Sequence, residues 1–250
     1  MERLLGPHSS AERAGTAALT ERAPRVVVRP VRNGLELRVD GTLASFRSST
    51  GGQQTGTVWW TLGAPVLLVA RRRPRVLLLG LGAGSVAAAV RALAPEAVLV
   101  GVERDRQVLR AARRHFGLDR HRVEIVEDDV FAYLRRERRT FDVVVEDVFV
   151  GSVRDVHKPE GLLGEGYRGI GRLLADGGFA VSNTIHETPA VVRAMRPFGR
   201  VVSMNVRGHW NRVVLGGRDA PDPRALRARL AAHPSLGAVL PRLSIRSWTR

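Results

Sequence analysis

From Arg75 onward the chain repeats one unit: a short, almost wholly apolar run followed by a stretch with helical spacing. Val76-Leu77-Leu78-Leu79, Ala97 to Val102, Val123-Glu124-Ile125-Val126, Phe141-Asp142-Val143-Val144-Val145 and Gly178-Phe179-Ala180-Val181 are the five runs. Helical segments follow them at Val86 to Leu93, Asp105 to Phe116, Val130 to Arg138, near Gly164 to Leu174, and Pro189 to Met195. A strand that shows apolar side chains on both faces must be covered on both faces. Strands of this kind alternating with helices predict a mostly parallel sheet with helices on either side. Arg200 to Val206 and Arg212 to Leu215 differ, because their connection is too short for a crossover helix. They predict a C-terminal antiparallel strand pair at one sheet edge. Asp222 to His233 predicts a surface helix.

The segment before the repeat has another rhythm. Val26 to Val28, Leu35 to Val39 and Thr42 to Phe46 are short apolar or alternating runs separated by Asn33-Gly34 and Asp40-Gly41. Asn-Gly and Asp-Gly between such runs are strong hairpin signals, so a small N-terminal β-meander is expected. Residues 1–24 carry no pattern and are expected to be a flexible leader. Ser48 to Gly56 predicts a loop and Thr57 to Ala70 a helix leading into the main domain. The organisation expected is a leader (1–24), a β-segment with its linking helix (25–70) and an α/β domain (71–250). The fold class is α/β: a Rossmann-like, doubly wound, mostly parallel sheet with a C-terminal antiparallel strand pair, preceded by the meander.

Composition removes several function classes. The 250 residues include no cysteine, which excludes disulfides, cysteine-ligated zinc and a catalytic thiol. No His/Asp/Glu spacing suggests a metal site. The run from Gly41 to Ala70, interrupted by Arg47, is too rich in Ser, Thr, Gln and Gly to span a bilayer. No continuous apolar stretch follows Met1, so no signal peptide and a cytoplasmic location are expected. The net charge is +16, and of 40 basic residues all but Lys158 are arginine. That ratio, with abundant Ala, Gly, Val and Leu, reads as the imprint of a GC-rich genome. The short runs Arg71-Arg72-Arg73 and Arg135-Arg136-Glu137-Arg138-Arg139 are scattered, and nucleic acid is not the expected partner.

The acids are unevenly placed. None occurs from Gly41 to Pro95, whereas 11 of the 24 fall between Glu103 and Asp147. They stand where the strands end. The first strand runs into Gly80-Leu81-Gly82-Ala83-Gly84-Ser85, a turn that lets backbone approach a ligand at a helix N-terminus. Free N–H groups are expected there, favouring an anion. Glu103 ends the second strand, 23 residues after Gly80, where a carboxylate can accept hydrogen bonds from vicinal ribose hydroxyls. Glu127-Asp128-Asp129 ends the third; Asp129 can accept an adenine amino group or cap the next helix, with Phe131 or its neighbours against the ring. Glu146-Asp147 ends the fourth. In open α/β sheets ligands sit outside the carboxyl ends of the strands. Both NAD and adenosyl-type nucleosides fit this pattern.

The segments VLLLGLGAGSVAAAV, VLVGVERDRQVLRAARRHF, RVEIVEDDVFAYL and FDVVVED resemble the core of class I S-adenosylmethionine-dependent transferases, most of all the spermidine synthase (polyamine aminopropyltransferase) group. The resemblance covers roughly residues 25–216 and includes the β-segment before the core. It implies that Gly80, Gly82, Gly84, Glu103 and Asp129 bind the nucleoside of S-adenosylmethionine or its decarboxylated form, without a metal. It implies that Asp147 faces the acceptor as the catalytic acid–base group, and it implies a homodimer.

Three positions depart from that group. Its glycine loop carries an aspartate for the aminopropyl ammonium, and here Ala83 stands there. A second acid three residues beyond the strand-four aspartate is here Val150. The Tyr-x-Glu of the polyamine site aligns with Val58-Trp59-Trp60. Burying an ammonium without a partner costs several kcal/mol, on the order of a lost buried ion pair. Methyl transfer to a small, non-polyamine acceptor is therefore the favoured expectation. Aminopropyl transfer, a non-catalytic nucleoside-binding scaffold and an NAD oxidoreductase are the alternatives. The Asp147-Val148-Phe149-Val150 loop lacks the (Asp/Asn)-Pro-Pro-aromatic pattern of amino-methylating enzymes. Trp59-Trp60 suits either an acceptor wall or the core, His186 either a cleft base or a surface residue, and Tyr167 helix packing.

Overall fold

The computed structural model describes residues 25–49, 57–237 and 239–248. The expected leader, 1–24, and most of the expected loop, residues 50–56, lie outside the described residues. Strands β1 (Val26–Val31), β2 (Gly34–Val39) and β3 (Thr42–Ser48) form the antiparallel meander. Its Asp-Gly turn has Asp40 at φ 48° and Gly41 at φ 81°, the two positive values a tight hairpin turn requires. Helix α1 (Val58–Gly63) continues into a 3-10 turn over Ala64–Leu68.

The main sheet has eight strands. β4 (Arg75–Leu79), β5 (Val98–Glu103), β6 (Val123–Glu127), β7 (Phe141–Glu146) and β8 (Leu174–Thr184) are the five expected ones, and all run parallel. β9 (Arg200–Val206) and β10 (Arg212–Gly217) are the expected antiparallel pair. The pair is not the edge, however. β10 inserts beside β8, and a further strand, β11 (Leu243–Ser247), covers β9, giving the order β11-β9-β10-β8-β7-β4-β5-β6. β11 has only five residues with Leu243 and Ile245 alternating against polar neighbours, a weak signal at the end of an arginine-rich tail.

The apolar runs are explained by burial on both faces. Val76, Leu78, Val143 and Val145 face α1, α2 (Ser85–Leu93) and α3 (Arg106–Ala111). Leu77, Leu79, Val100, Val102 and Val144 face α4 (Val130–Arg136), α5 (Tyr167–Leu173) and α6 (Thr188–Met195). Each fully buried aliphatic side chain contributes about 1.5–3 kcal/mol of transfer free energy. β6, at the other edge, is only partly buried and carries Glu124 and Glu127, charges that discourage edge pairing. α7 (Pro223–Ala231) is the expected surface helix and buries only Leu226 and Leu230.

Chain order reverses at β4, which lies between β5 and β7. That reversal opens a crevice at the carboxyl ends of the three strands. The backbones are close there: a Cβ on Gly80 would lie 2.6 Å from the carbonyl oxygen of Asp147, and Gly80 has φ +83°. Gly80→Ala is therefore expected to destabilise the fold by about 2–4 kcal/mol, because strain and a backbone clash add. Gly164 meets only the far end of Arg168 at 3.9 Å, and Gly164→Ala should cost little. Urea unfolding of the two variants measures the contrast, and equal midpoints would show that the crevice yields at Gly80.

Candidate functional site

The structure brings Gly80, Gly82, Gly84, Glu103 and Asp147 together at this crevice, with Asp129 one strand further out. Glu103 closes β5 and reaches across to the glycine turn. Its Oε2 accepts the N–H of Gly82 at 3.0 Å and its Oε1 the N–H of Asp105 at 3.0 Å. Burial pushes the Glu103 carboxyl up, while the Asp105 and Gly82 N–H groups pull it back down. Each oxygen keeps a lone pair for a ribose hydroxyl. Glu103 thus shapes the turn as well as facing the crevice.

The N–H groups of the glycine turn are not free, which corrects the expectation from the sequence. Those of Gly80 and Leu81 donate to Val102 O, that of Gly82 to Glu103, and that of Gly84 to Leu81 O at 3.0 Å. The N–H of Ala83 donates to Ser45 Oγ at 2.9 Å. Ser45 comes from β3, is 1% exposed, and was not singled out by its sequence context. A Cβ on Gly82 would stand 3.0 Å from the same hydroxyl. Ser85 Oγ in turn accepts the Phe46 N–H at 3.3 Å. The meander is therefore built onto the turn, with the Ser45 O–H still available to donate. No local sequence pattern links a serine in a strand to a backbone N–H 38 residues on.

Asp129 caps α4: its Oδ1 accepts the N–H groups of Phe131 and Ala132 at 2.9 and 3.1 Å. The other oxygen is not part of that cap. The ring of Phe131 lies against Gly161 and Gly166, where a Cβ would be 3.8 and 3.6 Å away. It lines a cavity of about 290 Å³ between α4 and α5 that none of the strand-end acids touches.

Asp147 follows β7. Its Oδ1 accepts from Asn183 Nδ2 at 2.7 Å, and Asn183 Oδ1 accepts from Asn211 Nδ2 at 3.0 Å. Asn183 is the penultimate residue of β8 and Asn211 precedes β10, whose register pairs Val213 with Asn183. The antiparallel insertion thus carries the amide that holds the acid. Desolvation pushes the Asp147 carboxyl up to about 6, against the pull of the Asn183 hydrogen bond and the Lys158 charge.

Its neighbour Glu146 is 1% exposed. Oε1 accepts from Lys158 Nζ at 2.7 Å and from the Val148 N–H at 2.8 Å; Oε2 accepts from Ser182 Oγ at 2.6 Å and from the Tyr167 hydroxyl at 3.3 Å. The carboxylate is fully satisfied, and burial next to it pushes the Tyr167 phenol well up. Tyr167 does pack on its helix's buried face, and it has this polar partner besides. The sequence marked Lys158 only as the solitary lysine.

Trp60 is buried in the core, and Trp59 is half-buried against it. His186 is exposed, with its backbone N–H on Glu187. The arginine run at 135–139 is largely occupied by its own acids. Arg135 pairs with Glu165, Arg136 with Asp128, and Arg139 with Glu124 and Glu137 at 2.9 and 2.8 Å. Among the described residues no group of three or more His, Asp or Glu can hold a metal ion, and no helix is long and apolar enough to cross a membrane.

Residues 76–178 match a family model described as a methyltransferase domain. No curated protein matches the sequence. Among solved structures, a probable spermidine synthase from Corynebacterium glutamicum ATCC 13032 superposes with a TM-score of 0.70 at 18% identity, covering 90% of this chain and 88% of that one. The spermidine synthase from Thermotoga maritima gives 0.62 at 19% identity over 82% and 72%. Human methyltransferase-like protein 13, in complex with SAH, gives 0.55 at 18% over 78% and 91%. Residues 76–178 are thus similar to a methyltransferase domain, and the superpositions show that the chain shares the fold of these spermidine synthase and methyltransferase structures. The fold likeness to the probable spermidine synthase extends over 90% of the chain.

Two outcomes follow from the site geometry. Glu103→Ala should weaken methylthioadenosine binding by roughly ten- to a hundredfold, the worth of charge-assisted hydrogen bonds of about 1.5–3 kcal/mol. Calorimetry on the folded variant reads this, and an unchanged affinity would remove Glu103 from the site. Asp147 has a folded-state pKa raised from 3.8 to about 6, so its ionisation opposes folding. That cost is absent below about pH 4 and complete above pH 6. Asp147→Asn keeps an oxygen for Asn183 and should stabilise the protein by about 2 kcal/mol at pH 7.5 and by nothing near pH 4. Equal gains at both pH values would contradict the burial of a charge at Asp147.

Proposed function

We propose that the chain is an S-adenosylmethionine-dependent methyltransferase of spermidine synthase-like build, acting on a small acceptor that is not a polyamine. The observation that carries this reading is the absence of an acid within the glycine turn itself. Residue 83 is a buried alanine, no acid occurs from Gly41 to Pro95, and both oxygens of Glu103 are engaged with backbone. An aminopropyl ammonium placed at residue 83 would find no carboxylate in the turn, the remaining lone pairs of Glu103 being used by the ribose, whereas a donor with an intact methionine tail brings its own carboxylate.

The residues present suit such a donor. Glu103 offers its remaining lone pairs to a ribose, Asp129 its second oxygen to an adenine amino group, and Ser45 a hydroxyl hydrogen to the tail. Bound there, the donor supplies a methyl carbon activated by its sulfonium. The turn and the meander fix the donor's position and keep water out, which is most of what an in-line displacement needs from a protein. Asp147, held by Asn183, stands on the β7 side as the group that orients the acceptor and takes its proton. Above about pH 6 it is ionised and ready for that role; below, it is protonated and transfer should fall.

Competition binding tests the donor. Wild type should hold S-adenosylmethionine at least as tightly as the decarboxylated form. Ala83→Asp should shift the ratio toward the decarboxylated donor by about 1–2 kcal/mol, the scale of a partly buried charge contact. A wild-type preference of tenfold or more for the decarboxylated donor would instead favour aminopropyl transfer.

A further inference from the structure

Lys158 is the only lysine among 40 basic residues, and its side chain is 2% exposed. Its Nζ lies 2.7 Å from Glu146 Oε1, 3.2 Å from Val148 O and 3.8 Å from the centroid of the Phe149 ring. A carboxylate, a carbonyl and an aromatic face converge on one point. That set recognises a primary alkylammonium, with a charge-assisted bond, a neutral bond and a cation–π contact. A guanidinium is planar and broad and cannot gather three such partners at one atom, whereas the compact ammonium can. The composition of this chain supplies arginine at every other basic position. The exception is the position where geometry demands a point charge.

The three partners come from residues 146, 148 and 149, which flank Asp147. The lysine enters from beyond the intervening loop, which is closed by paired backbone bonds between Val150 and His157 at 2.9 and 3.1 Å. Two carboxylates therefore stand side by side with different fates. Glu146 is neutralised from within the chain. Asp147 has one direct partner, the Asn183 amide, with the Lys158 charge acting on it only from a distance.

We propose that Lys158 is a specificity-determining residue: it fills, from within the chain, an ammonium site beside Asp147 and limits the acceptor to a neutral or singly charged molecule. A diamine would find one uncompensated carboxylate for its two charges, and its second ammonium would meet a site already occupied by a cation. The proposal rests on the reading of Asp147 as the acceptor side and goes beyond it by giving the acceptor's charge class and the residue that sets it.

The test is to empty the site. Lys158→Ala removes the ammonium and its stem and leaves Glu146, the Val148 carbonyl and Phe149 in place. Propylamine, putrescine and 1-propanol are titrated against wild type and variant by calorimetry and thermal unfolding. The variant should prefer propylamine over 1-propanol at least tenfold more strongly than wild type does, and Glu146→Gln added to it should return that preference to the wild-type level. Wild type, with Asp147 alone to offer, should show a preference for propylamine over propanol at least tenfold smaller than the variant's, and no binding of putrescine. If Lys158→Ala does not fold unaided, its refolding yield with propylamine against propanol gives the same comparison. An equal response of the variant to amine and alcohol would overturn the proposal, as would wild-type binding of putrescine. The titrations need no nucleoside, so a failure of wild type to bind methylthioadenosine would strike the donor reading and leave this result standing.

Discussion

A sheet buried on both faces leaves an ionisable side chain few places to stand. β4, β5 and β7 are packed between two helix layers, so charges in them are excluded except where a strand ends or a partner is built in. That single constraint sorts the acids of this chain. Glu103 and Asp147 sit at carboxyl ends that converge at the reversal of strand order, and Asp129 sits just past the end of the outer strand. Glu146, one residue inside the limit, exists only with Lys158, Tyr167, Ser182 and a backbone N–H around it. Part of the carboxylate cluster in the middle of the sequence, Glu103, Glu146 and Asp147, is thus the trace of a crevice in the fold.

The peripheral elements serve that crevice. The meander supplies Ser45 to the glycine turn, and the inserted hairpin supplies Asn211 to the amide that holds Asp147. Both are remote in sequence from what they touch. At the glycine turn Glu103 and Ser45 are engaged with backbone N–H groups. At the end of β7 one carboxylate is paired with a lysine and the next is held by an amide. Two adjacent acids thus differ in their partners.

Much of this was legible in the sequence. The parallel strands announced themselves as apolar runs because burial on two faces erases alternation, and the meander did so through Asn33-Gly34 and Asp40-Gly41. The strand-end acids could be placed because a strand's end is a local property. What escaped was set by pairing at a distance. Ser45 meets Ala83 through space alone, and Lys158 reaches Glu146 across a loop of irregular conformation. The engagement of the turn's N–H groups could not be foreseen, since a glycine-rich turn looks the same whether its donors are free or spent. β11 is too short and too polar at its edge to stand out. Trp59-Trp60 carried two meanings in the sequence, and packing puts Trp60 in the core.

The account stands on the crevice being a site for an adenosyl sulfonium, and direct titration addresses it. Calorimetry of the wild-type protein against S-adenosylmethionine and NAD should show one-to-one binding of the former and none of the latter at the same concentrations. Tighter binding of NAD, or no binding of S-adenosylmethionine by folded protein, would contradict it.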